Sequence, residues 1–275
     1  MAPLAAIPRK VANLFRRAYQ LLRQFGLRLD ILGRSLAGLP RFWRQARAYR
    51  AAAAAGPFPL RWREINPILT DNRASAGIAS KDYFHQDLWA ARLIHQRRPA
   101  RHVDVGSRVD GFVAHLLTFM PVDVLDIRPL ASEVEGLNFI QADATRLERF
   151  ADASLDSISS LHAVEHFGLG RYGDPVDPGA HRVVMSELAR VLKPGGRLYF
   201  SVPVGRQRVE FNAHRVFDPQ TVIAGFPGLE LVSFAVVDDA GRLVAPANPG
   251  DWGAAVFACG LFEFTKPGSS VVPGA

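Results

Sequence analysis

The chain has 275 residues, 48% of them hydrophobic, which is enough for the core of one α/β domain with an appendage but excludes several large domains. Its formal net charge of +7 is uneven, because residues 1–63 carry +12 and the rest of the chain carries −5. An enzyme acting on nucleic acid would more often place positive charge around its site, so this division disfavours a polynucleotide partner. The single cysteine, Cys259, excludes an intramolecular disulfide and fits a reducing compartment.

The N-terminal extension, residues 1–60, is basic and has helical periodicity. From Val11 to about Leu29, apolar residues recur three and four positions apart, while arginines fall elsewhere on the helical wheel. A second basic segment follows from Pro40. Three interpretations are open: a solvated or partner-packed helical extension, peripheral contact with an anionic membrane through residues 9–50, and a mitochondrial transit peptide.

The sequence predicts neither a membrane span nor a secretory signal. It has no run of 18 or more apolar residues, and its first ten residues contain too short an apolar stretch before the first charges. We therefore expect a cytoplasmic protein, with the basic extension as its route to the inner face of a membrane.

Beyond a proline-containing linker at 57–78, helical and strand patterns alternate. A helix is predicted from Lys81 to Gln96 and further helices near 110–119, 181–192 and 218–225. Predicted strands cover residues 101–105, 122–127, 137–142, 155–161, 196–203, 229–237 and 256–265. Short strand-to-helix connections imply right-handed crossovers and a mostly parallel sheet.

Acidic residues end three successive predicted strands. The stretch HVDVGSRVDG, from His102 to Gly111, is an apolar strand that contains Asp104 and breaks into a glycine turn. Asp126 lies 22 residues beyond Asp104, near the spacing of about 20 at which a βαβ unit presents a carboxylate to ribose hydroxyls. Asp143 ends the third strand. One such aspartate would often be only a turn residue or a helix cap, but three predict a nucleotide-like ligand at this edge of the sheet.

This layout, together with LDSISSLHAVEH and ELARVLKPGGRLYFSVP downstream, resembles the class I methyltransferases that depend on S-adenosylmethionine (SAM). From about Trp62 to Asp238 the chain is most similar to methyltransferase-like bacterial proteins of domain-of-unknown-function family 268. The similarity rests on KDYFHQDLWAAR, DVGSRVDGF, LHAVEHFGLGRYGDP and EFNAHRVF. Members of that family resemble parts of surface-polysaccharide pathways.

The resemblance implies an α/β fold with a Rossmann-like, doubly wound, mostly parallel seven-stranded sheet whose last strand is antiparallel. The domain would span residues 61–267, with a flexible tail at 268–275. The implied SAM contacts are Asp104, Gly106 and Ser107 at the first turn, Asp126 and Ile127 at the ribose, Asp143 and Ala144 at the adenine, and Leu161 and His162 at the methionine end. Backbone N–H groups of the first turn would meet the SAM carboxylate. Arg108 and Asp110 replace the usual glycines and are expected to crowd the methionine end.

The segment after the fourth strand reads H-x-x-E-H, with His162, Glu165 and His166. A zinc-protease helix is rejected because the segment is a strand end that runs into a turn. By resemblance to small-RNA 2′-O-methyltransferases, these three residues and His214 would bind a divalent metal, and the mixed ligands would suit Zn, Fe or Mn better than Mg. Alternatively, these side chains merely pack and line the cofactor.

A catalytic interpretation without metal is also open. Methyl transfer to oxygen is an in-line displacement that gains from a positioned proton acceptor, here His166 or His162 with Glu165 as its orienting group and His214 as the alternate. Residues 171–174 form a loop that either grips a polar substrate or simply connects two elements. The predicted function is O-methylation of a hydroxyl on a glycan or glycolipid precursor or a small metabolite. The alternative is a non-catalytic scaffold of a surface-polysaccharide pathway.

Overall fold

A computed structural model describes residues 18–54, 56–74, 79 and 82–268. The chain divides into two compact units between Ile78 and Ala79. The boundary that the sequence analysis placed at residue 60 therefore falls inside the first unit. The tail predicted from residue 268 lies, after that residue, outside the described part of the chain.

The first unit is dominated by helix α1 (Leu29–Ala52). Residues 18–24 are also helical, while the earlier part of the predicted first helix lies outside the described residues. The second basic segment belongs to α1, which contains Pro40 in its interior. Gly38 is buried against the backbone carbonyl of Leu69, so this face of α1 is fixed by the segment that follows it. Within the described residues, no helix has both the length and the apolar character to span a bilayer.

The second unit contains an eight-stranded sheet. Its strands are β1 (Val103–Val105), β2 (Val122–Asp126), β3 (Leu137–Gln141), β4 (Leu155–Leu161), β5 (Leu192–Val204), β8 (Glu230–Val237), β9 (Leu243–Val244) and β10 (Ala258–Thr265). Their order is β3-β2-β1-β4-β5-β10-β8-β9. The first five strands in this order are parallel, and β10 runs antiparallel to both β5 and β8. The predicted α/β class and antiparallel last strand are confirmed, with β9 as an added edge strand.

Helices flank the sheet at α2 (Asp82–Arg97), α3 (Ala114–Leu116), α4 (Ala180–Val191) and α5 (Pro219–Ala224). The helix predicted near 110–119 is present but shorter, because a π-helical turn at Val109–Val113 runs directly into the single turn of α3 and the helical segment ends at Leu116. A two-stranded hairpin that the sequence analysis missed, β6 (Arg208–Glu210) with β7 (His214–Val216), follows β5.

The strand order reverses between β1 and β4, because the chain builds outward from β1 on one side and from β4 on the other. Both strands are buried along most of their length, and α2 packs with the π-helical turn and α3 in an apolar cluster beside them. In open α/β sheets the point of reversal leaves a crevice at the carboxyl ends of the strands. The fold therefore places a cleft where the sequence analysis placed its acidic residues.

Gly260 allows β10 to fit between β5 and β8. A Cβ atom at this position would lie 2.6 Å from Val204 Cγ1 and 2.7 Å from Phe262 Cε2, and both neighbours are buried. We expect Gly260→Ala to destabilise the protein by about 1–3 kcal/mol through overpacking. Thermal melting tests this against Gly268→Ala, where a Cβ meets nothing within 4 Å. Equal melting temperatures of the two variants would contradict this packing.

Candidate functional site

A cleft of about 730 Å³ opens at the carboxyl edge of the parallel strands. This volume lies within the range of about 300–1,000 Å³ that is usual for small-molecule sites. Of the predicted cofactor residues, six line it: Gly106, Asp126, Ile127, Asp143, Ala144 and His162. The other three, Asp104, Ser107 and Leu161, are not part of its lining and are buried beneath it.

Asp104 and Ser107 hold the first turn together instead of facing the cleft. The Asp104 carboxylate accepts hydrogen bonds from the Ser107 N–H (3.0 Å), from Ser107 Oγ (2.6 Å) and from Ser159 Oγ (2.5 Å). Ser107 Oγ in turn accepts a hydrogen bond from the Leu161 N–H at 3.0 Å. Burial raises the pKa of Asp104 to about 6. The direct cofactor contacts predicted for these three residues are therefore replaced by a role in joining β1 to β4.

Gly106 forms the floor of the cleft at the end of β1. Its φ is +74°, and an added Cβ would lie 3.0 Å from the Cβ of Ala163 on the neighbouring wall. Its N–H donates to the Leu125 carbonyl at 2.9 Å, and the Ser107 N–H is used by Asp104. These two backbone donors are thus already satisfied, so a SAM carboxylate at the first turn would have to be met by other N–H groups of the turn or by side chains.

Arg108 and Asp110 form an ion pair of 2.8 Å with each other. The Arg108 guanidinium lies 5.0 Å from the ring centroid of Tyr83, and both residues line the cleft. Asp110 is exposed and outside the lining. The expected crowding is therefore absent at Asp110, while Arg108 offers a cationic group at this end of the cleft.

The Asp126 carboxylate is engaged by Arg128, a residue that the sequence analysis did not select. It accepts hydrogen bonds from the Arg128 backbone N–H (2.8 Å), Nε (3.0 Å) and Nη2 (2.6 Å). The same guanidinium lies 4.5 Å from the ring centroid of Tyr172. A ribose at Asp126 would have to compete with this bidentate arginine. One indication of this ion pair was visible in the sequence, namely that Asp126 and Arg128 are only two residues apart.

Asp143, at the end of β3, lines the cleft and caps its own turn. Its carboxylate accepts a hydrogen bond from the Thr145 N–H at 2.8 Å. One oxygen is used in this turn, and the residue is half-buried, so the group is held in a fixed direction at the cleft wall.

The H-x-x-E-H segment forms the wall after β4. His162 has a φ of +50°, a backbone conformation that is uncommon for a side chain larger than glycine and often found at functional sites. One helical turn, Val164–His166, then places Glu165 Oε1 at 3.4 Å from His162 Nδ1 and 3.6 Å from His166 Nε2. Burial raises the pKa of Glu165 to about 8 and lowers the pKa of His162 to about 3 and of His166 to about 4.

The hydrogen bond of His166 to the backbone determines where its proton lies. His166 Nδ1 is 2.7 Å from the Ala213 carbonyl oxygen, which can only accept, so Nδ1 carries the hydrogen. The neutral ring then presents a lone pair at Nε2 to Glu165. Two unprotonated acceptors at this distance would repel, and the raised pKa of Glu165 places a proton on the carboxyl group. The Glu165–His166 pair is therefore uncharged near neutral pH, with a proton on the Glu165 carboxyl group and a lone pair on His166 Nε2.

His162 is held on both sides of its ring. Nε2 lies 3.1 Å from Cys259 Sγ, and Nδ1 faces Glu165. Glu165 Oε2 is buried and has no hydrogen-bond partner among the described residues. His162 is thus built to position Glu165, whereas His166 has the ring nitrogen better placed to exchange a proton.

His214, on β7, also lines the cleft, with Nε2 at 3.5 Å from Glu210 Oε2. In the part of the chain that the structure describes, no three His, Cys, Asp or Glu side chains are arranged to hold a metal ion. His162 and His166 share one Glu165 oxygen and direct their other ring nitrogens at Cys259 and Ala213. The predicted divalent-metal site therefore gains no support from this geometry.

The loop after the H-x-x-E-H segment is tied by its own contacts and also lines the cleft. Asp174 accepts hydrogen bonds from the backbone N–H groups of Gly168 (2.8 Å) and Tyr172 (3.1 Å). Arg171 donates to the Ala213 carbonyl at 2.8 Å, and its guanidinium lies 5.1 Å from the Tyr172 ring centroid. Two arginines, Arg128 and Arg171, thus flank one tyrosine at the cleft rim.

Comparison with known sequences gives one family match. Residues 125–240 match the model of the family described as "Caenorhabditis protein of unknown function, DUF268". That description names Caenorhabditis, whereas the sequence analysis expected a bacterial family. No curated protein matches the chain in sequence.

Solved structures give broader matches. The [4+2]-cyclase SpnF matches with a TM-score of 0.51 and 16% identity over 82% of this chain and 96% of its own. The N-methyltransferase NodS from Bradyrhizobium japonicum WM9, in complex with S-adenosylhomocysteine (SAH), has a TM-score of 0.47 and 16% identity, over 81% of this chain and 98% of its own. The 1,6-didemethyltoxoflavin-N1-methyltransferase from Burkholderia thailandensis has a TM-score of 0.48 and 16% sequence identity, over 66% of this chain and 78% of its own. At this identity the likeness concerns the fold alone.

Proposed function

We propose that this chain, which has the fold of class I SAM-dependent methyltransferases, binds SAM in the cleft and methylates a hydroxyl group. The observation that carries the proposal is the pair of buried Glu165 and half-buried His166 on the cleft wall at the end of β4. An uncharged pair with a lone pair on His166 Nε2, beside a cavity large enough for a nucleoside, is suited to accept a proton from a bound alcohol.

The cleft residues fit SAM in shape and in chemistry. Gly106 leaves the floor free of a side chain, and Asp126 and Asp143 supply carboxylates at the ends of β2 and β3. Arg108 is placed to receive a carboxylate, in place of the backbone donors that are already used. When bound, SAM supplies a methyl group activated by a sulfonium. The chain's own task is to align the acceptor and to take up its proton.

The proton of the acceptor hydroxyl is assigned to the Glu165–His166 pair as a unit. The pair holds one proton near neutral pH and takes up a second as the acceptor oxygen forms its new bond to carbon. The Ala213 carbonyl keeps the His166 ring oriented and stabilises it when both nitrogens are protonated. Because the two groups are in contact, their titration belongs to the pair and not to either residue.

The acceptor that we propose is a hydroxyl of a glycan or glycolipid precursor or of a small polar metabolite. Support comes from the polar rim of the cleft, where Arg171, Tyr172 and His214 could hold sugar-like hydroxyls.

Protein incubated with methyl-labelled SAM and separate pools of nucleotide sugars, lipid extract and polar metabolites should transfer label into one pool. His166→Ala should lower transfer by about 10²-fold or more and leave SAH binding intact. His95→Ala, outside the cleft lining, is the matched control. Absence of transfer to every pool would count against the acceptor class.

A second function, a non-catalytic scaffold of a surface-polysaccharide pathway, is favoured by one observation. Arg128 already satisfies the carboxylate that would bind ribose, and so the cleft is stable with no ligand at this position. A scaffold predicts that neither SAM nor SAH binds at any accessible concentration, whereas the enzyme requires both to bind.

A further inference from the structure

We propose that the first unit binds the surface of an anionic phospholipid membrane through an exposed apolar stripe on α1. The stripe consists of Leu29, Leu32, Leu36 and Trp43, whose spacings of three, four and seven residues place them on one face of the helix. This inference goes beyond the proposed function and does not depend on it.

The stripe is unusually exposed for such apolar side chains. Leu29, Leu32 and Leu36 are 56%, 54% and 58% exposed, and Trp43 is 43% exposed. Phe25 and Leu27, just before α1, are also exposed. Scattered exposed leucines are ordinary, but a contiguous row with neighbouring aromatic side chains marks a surface that contacts something apolar.

Within the described residues, the packing of the unit uses the face of α1 opposite the three leucines and the C-terminal end of the stripe. Gly38, which is buried, lies opposite the leucines and contacts the backbone of Leu69, whereas the buried Ala46 lies three residues beyond Trp43. Arg41 donates to the same Leu69 carbonyl at 3.3 Å. The ring of Trp43 lies 6.1 Å from that of Trp62 within the unit, so the intrachain contacts of the described residues leave Leu29, Leu32 and Leu36 as the part of the stripe open to a partner.

Positive charge lies on α1 and just before it, where the exposed arginines are Arg23, Arg28, Arg34, Arg44 and Arg47. By helical spacing Arg28 and Arg47 lie beside the stripe, each four residues from one of its members, whereas Arg34 lies on the opposite face. The single acidic residue between 18 and 54, Asp30, is paired with Arg28 and Arg34 at 3.3 Å each and accepts a hydrogen bond from Tyr19. The face is thus both apolar and strongly cationic.

An anionic bilayer surface fits this combination better than the other occupants. Leucines and Trp43 can enter the interfacial layer while arginines extend their charged ends to lipid phosphates. A polynucleotide would pair with the arginines but leave the leucines in water. A second copy of the chain would bring two +12 segments together. Charge complementarity therefore selects the membrane.

Sedimentation of the full chain with lipid vesicles tests the proposal. We expect at least about 10-fold more binding to vesicles of phosphatidylcholine with phosphatidylglycerol than to phosphatidylcholine alone. Salt should weaken this binding, because the Debye length shortens from about 10 Å at 0.1 M to about 3 Å at 1 M. Equal binding to both vesicles, no binding to either, or competition by polynucleotide would overturn the proposal.

Two variants assign the binding to the stripe. Leu32→Glu with Leu36→Glu should lower binding to anionic vesicles at least about 10-fold, whereas Val232→Glu with Val256→Glu, at exposed positions of the second unit, should not. All four positions are exposed, so melting temperatures should stay near that of the unmodified protein. If the leucine variant fails to fold, the double variant Arg44→Ala with Arg47→Ala replaces it as the test. This variant must also lower binding to anionic vesicles and make that binding less sensitive to salt. Unchanged binding by the deciding variant would overturn the assignment.

Discussion

Replacing Asp126 by alanine is expected to weaken SAH binding about 100-fold, and replacing Arg128 by alanine is expected to strengthen it by up to about 10-fold. Hydrogen bonds to a charged group contribute about 1.5–3 kcal/mol each, and about 1.4 kcal/mol is a factor of ten in affinity. Arg128 now takes those bonds, so a ribose must displace it from the carboxylate. Removing the arginine side chain removes this competition. Titration calorimetry with SAH measures both effects.

The opposite signs of these two effects make the test specific. General damage to the cleft would weaken binding in both variants, whereas competition predicts a loss for one and a gain for the other. Asp251→Ala and Arg149→Ala, which are exposed and outside the cleft lining, serve as matched controls and should bind as the unmodified protein does. Weaker binding by Arg128→Ala would instead show that the arginine itself contacts the ligand.

Glu165→Gln is expected to make the protein more stable than the unmodified chain at pH 8, by a margin that shrinks as the pH falls. Burial raises the pKa of Glu165 to about 8 from its ordinary value of 4.5, so the folded protein favours the protonated form. The stability from this group is complete below about pH 4.5 and is lost as the pH rises through 8. The difference in free energy of unfolding between the variant and the unmodified protein changes by up to about 1.4 kcal/mol per pH unit in this window.

Two histidines change the free energy of unfolding in the opposite direction, because their contribution decreases as the pH falls. The pKa values of His162 and His166 are lowered by burial, so their contribution is present above about pH 6.5 and is lost as the pH falls. These residues are common to both proteins, so the comparison of Glu165→Gln with the unmodified chain reports the change that the carboxyl group causes, including its effect on His166. Urea unfolding between pH 5 and pH 8 measures it. Parallel stability curves across this range would mean that Glu165 has an ordinary pKa.

Glu165→Gln also separates a structural role of this side chain from a role in proton transfer. Glutamine resembles the protonated carboxyl group in shape and charge but can neither accept a proton nor pass one to His166. We expect Glu165→Gln to fold and to bind SAH, and to lose about 10²- to 10⁴-fold in methyl transfer. Transfer at the unmodified rate would assign the proton to another group.

The positions of the acidic residues were predictable from the sequence, but their partners were not. Apolar runs that end in aspartate predict strands whose carboxyl ends share an edge, and Asp126 and Asp143 do line the cleft there. Asp104 ends a similar run but is buried, because Ser107 and Ser159 lie close enough to take both of its oxygens. Sequence spacing cannot tell whether a ligand or a neighbouring side chain will satisfy a carboxylate.

Local signals failed where pairing with distant segments decides the structure. A strand was predicted from residue 196, yet β5 begins at Leu192, because Leu192 already pairs with Leu155 on β4 across a register shift. The hairpin of β6 and β7 pairs locally and was missed for a different reason, because it has few apolar residues. It contributes Ala213, whose carbonyl fixes the proton on His166.

Calorimetric titration of the unmodified protein with SAM and with SAH tests the central claim most directly. We predict saturable binding of both ligands at one site per chain. Failure of both ligands to bind, with the protein folded by its melting curve, would contradict the proposed methyltransferase and leave the scaffold function.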